Sequence, residues 1–283
     1  MPKPPRSTPE RPSLIDQTLD RAVLAFQAQR PDEAARIAAE VLRSARGDLR
    51  AAQLLGQALL MQGRALAAIE ALGPVARRSG DPVVETLLAR ALADAGRGAE
   101  ADDLLRKATT RRPVYPLAFV ELGDRLGKAG RFDEAAAVFE AGLALAPQAQ
   151  VLRVALGYLH LQRNDRVSAR ALFTAVRAAA PERHDALLGL ADVLARDGDH
   201  AAAADLYRQA LAARPLDPTT RISLGKCLLE LGERGAGEAA LRAAAQGGAA
   251  MLGPALAALC ATPRGRVFLR PSAAARYLRG GAG

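Results

Sequence analysis

The sequence predicts an all-α fold, a solenoid built from antiparallel helix hairpins. Three observations predict it. A unit of 33 or 34 residues recurs along most of the chain. Each unit holds two runs of small and large apolar residues at helical spacing, separated by a short turn. The composition is rich in Ala, with aromatics at 4% and no Trp, which suits closely packed helices better than a thick core or a sandwich.

The stretch from Pro116 to Ala149 shows the unit most clearly. Phe119, Leu122, Gly123 and Leu126 mark a first helix. Gly130-Arg131-Phe132-Asp133 makes the turn, Ala135, Phe139 and Gly142 mark a second helix, and Pro147 closes the unit. Taken in order, residues 1–15 are Pro-rich and read as disordered. The repeats then span 16–48, 49–81, 82–115, 116–149, 150–183 and 184–217, with a degenerate seventh at 218–246. In that seventh unit Glu233-Arg234-Gly235-Ala236-Gly237 reads as a lengthened turn before a short helix from Glu238. Residues 247–283 read as a capping helix near Met251–Cys260 and an Arg-rich tail, with an apolar island at Val267, Phe268 and Leu269.

The eighth position of successive units is Val23, Gly56, Ala89, Gly123, Gly157, Ala191 and Gly225. Gly inside a helix costs about 0.5–1 kcal/mol relative to Ala, so four such residues imply close helix approach in compensation. The twentieth position is Ala in six units: Ala35, Ala68, Ala101, Ala135, Ala169 and Ala203. A larger side chain there would overpack the same seam.

These residues, above all Leu122-Gly123, Leu126, Gly130, Ala135, Phe139 and Pro147, resemble the tetratricopeptide repeat family, and the resemblance covers about 16–246. It implies a right-handed superhelix whose first helices line a concave groove. It also implies a non-enzymatic scaffold or adaptor that binds a peptide segment or partner protein there. The chain departs from the family at the fourth position, where Ala52, Glu85, Arg153 and Arg221 replace a large apolar residue. Those units are expected to pack more loosely or differently.

On the register that the resemblance implies, the groove candidates are Arg90, Val120, Asp124, Val154, Tyr158, Leu188, Asp192, Ile222 and Lys226. Val120, Val154, Leu188 and Ile222 would form an apolar stripe with Tyr158 as an anchor. Three readings of that stripe stay open: a partner site, packing against neighbouring first helices, or cover by the chain's own Phe268 and Leu269. The Lys, Arg and Asn set with which some family members grip a C-terminal carboxylate is absent.

Charge narrows the partners. The chain carries +9, but residues 1–12 hold +2 and residues 261–283 hold +5, leaving +2 for the 248 residues between. A nucleic-acid binder needs a basic stripe on the folded body, so the average charge argues against one, while a local patch stays open. A nucleic-acid or anionic-surface role through the basic tail is the alternative, and an accessory subunit of a larger biosynthetic or envelope complex is another.

No catalytic, metal or cofactor site is read. His160, His184 and His200 make no helical metal pair, and His160 is expected to pack in its repeat. No G-x-S-x-G or G-x-x-x-x-G-K-[ST] run occurs. Cys227 and Cys260 read as buried or half-buried small side chains. No apolar run is long enough for a membrane span and the N-terminus lacks a signal-peptide pattern, so a cytoplasmic location is the default expectation. End-to-end self-association through Ile15, Leu19 and Phe26 is a further expectation.

Overall fold

A computed structural model describes residues 14–261 and 271–279. They form sixteen helices among the described residues: α1 (Leu14–Gln27), α2 (Pro31–Ser44), α3 (Leu49–Met61), α4 (Ala65–Ser79), α5 (Pro82–Asp94), α6 (Gly98–Thr110), α7 (Pro116–Lys128) and α8 (Phe132–Leu145), then α9 (Gln150–Gln162), α10 (Arg166–Ala179), α11 (His184–Arg196), α12 (His200–Ala213), α13 (Pro218–Glu230), α14 (Arg234–Ala245), α15 (Ala249–Ala261) and α16 (Pro271–Leu278). They divide into two compact units between Leu152 and Arg153.

Three-residue turns reverse the chain between the helices of the first seven pairs. The middle residue of every one has positive φ: Gln29, Gly63, Gly96, Gly130, Asn164, Gly198 and Gly232. The residue after it donates its N–H to the carbonyl five positions back, as Arg131 does to Leu126 at 2.9 Å and Asp199 to Leu194 at 2.9 Å. This is the Schellman end of a helix, which needs a left-handed residue and closes the orphan carbonyls. The reverse connection ends in an Asp cap at Asp48, Asp81 and Asp217, whose carboxylates accept from N–H groups of α3, α5 and α13. Asp165 and Asp199 cap α10 and α12 in the same way.

In the first unit, α1 to α8 pack in chain order, and the first helices also touch one another, α1 with α3, α3 with α5 and α5 with α7. The seam follows the small-residue logic. A Cβ on Gly123 would lie 2.2 Å from Phe139, and one on Gly56 would lie 2.9 Å from Leu72. In the third repeat Ala89 and Leu105 hold the same two register positions, and both are buried. The first repeat lacks the pair: Val23 and Ala39 hold the two register positions, and Val23 is exposed.

The second unit uses the same device more heavily. Phe173 is fully buried, and a Cβ on either Gly157 or Gly189 would meet its ring at 2.8 or 2.3 Å. Gly225 faces Leu241, and Gly237 faces Leu229 and the Gly225 carbonyl. That last pair corrects the expected lengthened turn: α14 begins at Arg234, and Gly237 lies inside it because α13 approaches too closely for a side chain. The six Ala residues of the twentieth position are all buried, in both units.

Two of the four departures at the fourth position pack tightly, while Arg153 and Arg221 are half-buried. Ala52 is fully buried, and Glu85, 3% exposed, is held by Arg111 through Nη2–Oε1 at 2.8 Å and Nε–Oε2 at 3.2 Å. A bidentate guanidinium satisfies the carboxylate that burial would otherwise penalise. At the far end of the second unit, α16 packs on α14 and α15. Leu278 is fully buried there, and the Tyr277 hydroxyl donates to the buried Glu238 carboxylate. Leu19, expected on an exposed end face, is 1% exposed and belongs to the core, while Ile15 stays exposed and Phe26 half-buried. Cys227 is buried, but Cys260 is exposed on α15, contrary to its expected burial. Among the described residues no helix is long and apolar enough to cross a membrane.

Candidate functional site: a mixed-charge hollow in the second unit

In the second unit α12 packs against both α11 and α13. Their polar residues line a hollow of about 440 Å³ that includes Asp192, Arg196, His200, Tyr207, Ser223 and Lys226. Tyr207 occupies the position that holds Leu or Phe in the neighbouring repeats. Its ring fills the seam and its hydroxyl donates to Asp192 Oδ1. The apolar seam thereby fixes a carboxylate at the rim of the hollow.

The electrostatics follow from that placement. Burial raises the Asp192 carboxyl above the ordinary aspartate value, and the Tyr207 bond, Arg196 and Lys226 only partly oppose it. Burial and the nearby Asp192 push the Tyr207 phenol up as well. The Cys227 thiol rises to about 11 because it is buried beside Asp192 and Glu230. At neutral pH it is a thiol, the unreactive form. His200 also lines the hollow, and its buried Nδ1 has no hydrogen-bond partner among the described residues.

The structure brings together Tyr158, Leu188, Asp192 and Lys226 in this unit. Tyr158 is half-buried, stacks edge-on against Phe173 with ring centroids 5.1 Å apart, and donates to the Asp185 carbonyl at 3.0 Å. Burial and the charges of Asp192 and Asp185 raise its phenol. Leu188 is half-buried against the core, and Lys226 is exposed. Val154 and Ile222 do not belong with them as contact residues. They are 5% and 8% exposed, packed into the core clusters on either side, so the continuous exposed stripe does not exist. The fifth position of a first helix points at the next helix pair as much as at solvent, and β-branched residues fill that gap.

In the first unit, Val120 is half-buried and Asp124 exposed. The surrounding protein and then the negative Glu121 raise the Asp124 carboxyl, while Lys128 opposes them. Arg90 is exposed with its guanidinium 3.9 Å from Glu121. His160, expected to pack in the core, is half-buried with Nδ1 3.1 Å from the Asp165 cap. Phe268 and Leu269 lie outside the described residues. Sequence reasoning missed Tyr207 as a site residue. Its signal was available: it is the one residue with a polar group at a seam position otherwise held by Leu or Phe in repeats two to seven.

Among the described residues no group of three or more His, Cys, Asp or Glu side chains could hold a metal ion. A family model described as the tetratricopeptide repeat matches residues 19–82, 86–151 and 154–218. The chain belongs to the tetratricopeptide repeat family. A comparison with curated protein sequences found no match. Among solved structures, the tetratricopeptide repeat protein TTC0263 of Thermus thermophilus is 22% identical, covering 64% of this chain and 98% of its own, with a TM-score of 0.56. A chain of the APC/C hetero-tetramer Cut9–Hcn1 is 16% identical over 93% of this chain and 53% of its own, with a TM-score of 0.65. Human IFIT1, solved as a dimer with PPP-AAAA, is 14% identical over 88% of this chain and 64% of its own, with a TM-score of 0.69. At these identities the likeness is one of fold.

Proposed function

We propose that this tetratricopeptide repeat protein is a non-enzymatic interaction scaffold that holds a segment of a partner protein on the first-helix face of its second unit. The observation that carries the reading is the hollow lined by α11, α12 and α13. An accepting carboxylate (Asp192) and a donating ammonium (Lys226) line it, and Leu188 and Tyr158 are half-buried against the core of the same unit. Such a set matches the alternating N–H and C=O groups of a polypeptide, with Leu188 and Tyr158 taking its apolar side chains. The Cys227 thiol that lines the hollow is protonated at neutral pH. The Cut9–Hcn1 assembly, in which a similar solenoid occurs in a hetero-tetramer, is consistent with this role.

The test is crosslinking and mass spectrometry on protein at native level, comparing wild type with Leu188→Ser plus Lys226→Glu. Lys226 is exposed and Leu188 half-buried, so a circular dichroism melt of the variant checks that it stays folded, whereas Val154→Asp would bury a charge. The reading expects one protein crosslinked to α11 and α13 that disappears in the variant. Crosslinks that persist unchanged, or that fall only on second helices, would reject it.

A further inference from the structure

A second surface lies in the first unit, on the edge where each second helix ends and the next repeat begins. Three successive repeats place arginines there: Arg43 and Arg46, Arg77 and Arg78, Arg111 and Arg112. All six are exposed. The repeats align them. Arg78 Nη2 donates to the Arg46 carbonyl of the preceding turn at 2.8 Å. The Arg111 guanidinium lies over Gly80, where an added Cβ would be 3.2 Å from Arg111 Cζ. Arg112 Nη1 is held by the Arg111 carbonyl at 2.8 Å. Three of the six side chains, those of Arg78, Arg111 and Arg112, are thereby positioned.

Elsewhere in this unit many guanidinium groups are matched, although Arg21, Arg36, Arg64 and Arg106 have no carboxylate within ion-pair distance among the described residues. Arg30 pairs with Glu33, Arg50 with Asp16 and Asp20, Arg97 with Glu100, Arg125 with Asp102, and Arg131 with Glu134. On the edge only Arg111 has a carboxylate, the buried Glu85. Arg43, Arg46, Arg77, Arg78 and Arg112 have none within ion-pair distance among the described residues. Cations in a last helical turn offset the helix dipole, which accounts for Arg43, Arg77 and Arg78. Arg46 and Arg112 lie beyond their helices, so the dipole leaves them unexplained.

We infer that this edge docks an acidic polypeptide segment, with successive Glu or Asp side chains taken by successive turns. An arginine fork matches a carboxylate with two parallel hydrogen bonds. Two observations favour a polypeptide over a nucleic acid. Residues 14–152 carry 18 Lys and Arg against 18 Asp and Glu, so the body gives a polyanion no long-range attraction. The turns also bring no exposed aromatic side chain to the row for base stacking; Tyr115, the nearest, is half-buried. The surface is separate from the hollow of the second unit.

The test uses the full chain, a fluorescent peptide alternating Glu and Ser, a matched peptide with Gln for Glu, and an oligouridylate. Wild type should bind the Glu peptide in a salt-sensitive way and not the Gln peptide. Arg46→Gln with Arg77→Gln and Arg112→Gln should weaken binding by about tenfold, as expected for three exposed charge pairs. The corresponding triple Lys variant keeps the charge but not the fork and should recover only part of it. Leu188→Ser plus Lys226→Glu should bind the Glu peptide as wild type does, which separates failure here from failure of the hollow. Unchanged binding in the Gln variant, with its circular dichroism melt intact, would overturn the inference. So would no binding to wild type, or tighter binding of the oligouridylate through the same arginines.

Discussion

The seam between paired helices makes a sharp prediction at Gly123. An Ala there gains about 0.5–1 kcal/mol of helix propensity. Its Cβ would lie 2.2 Å from Phe139 Cε1, 2.4 Å from Cζ and 2.8 Å from Cδ1. Phe139 is 1% exposed, so its ring has nowhere to swing. Overpacking of this kind costs about 1–3 kcal/mol. The expected net effect of Gly123→Ala is a loss of about 1–2 kcal/mol, opposite in sign to propensity. Phe139→Leu alone should cost about 1–2 kcal/mol, less than the truncation of a buried Phe to Ala. The two changes together copy the Ala89 and Leu105 pair of the preceding repeat, so the double variant should be no less stable than Phe139→Leu. The coupling energy should then be about 1–2 kcal/mol, within the range for residues in contact. Urea denaturation followed by circular dichroism measures the midpoints. Amide exchange in α7 and α8 checks that the loss is local, since repeat units do not always unfold together. A stabilised Gly123→Ala, or strict additivity in the double variant, would refute the seam argument.

Other outcomes follow from the same geometry. Gln29 holds a left-handed turn position that is Gly in five other repeats, so Gln29→Gly should raise stability by about 1 kcal/mol, while Gly130→Ala, with open space around it, should lower it by a similar amount; thermal melts test both. Asp192 has a raised carboxyl in the folded chain, so its contribution to stability is full below the ordinary aspartate range and is lost as pH rises through the folded value. Asp192→Asn keeps an acceptor for Tyr207 and should match or exceed wild-type stability at pH 7 with no gain at acid pH, as read from melting temperature against pH. Leu278→Ala removes a fully buried side chain of α16, should cost about 2–3 kcal/mol locally, and should make the C-terminal segment cleavable by dilute protease before the rest of the chain.

The repeat was legible because its two signals are local. A Gly at the turn and a small residue opposite a large one can be counted along the chain, and Asn164 and Gln29 keep the turn even without Gly. Gly237 misled for a physical reason. Glycine serves both a turn and a close approach, and only the position of α13 decides between them. Val154 and Ile222 show a second limit. Register says which face a residue lies on, but not how deeply the next helix pair covers it. Register put Asp192 and Lys226 on the face where both line one hollow, whereas Tyr207 was hidden inside a packing pattern. The arginine edge was hidden too, because its members are spread across three repeats and become a row only when the turns stack.

The most direct test of the scaffold account is amide exchange on the full chain with and without the partner that crosslinking recovers. The account predicts slowed exchange in α11 and α13 around Leu188, Asp192 and Lys226, abolished by Leu188→Ser plus Lys226→Glu. Protection confined to second helices, or unchanged by that variant, would contradict it.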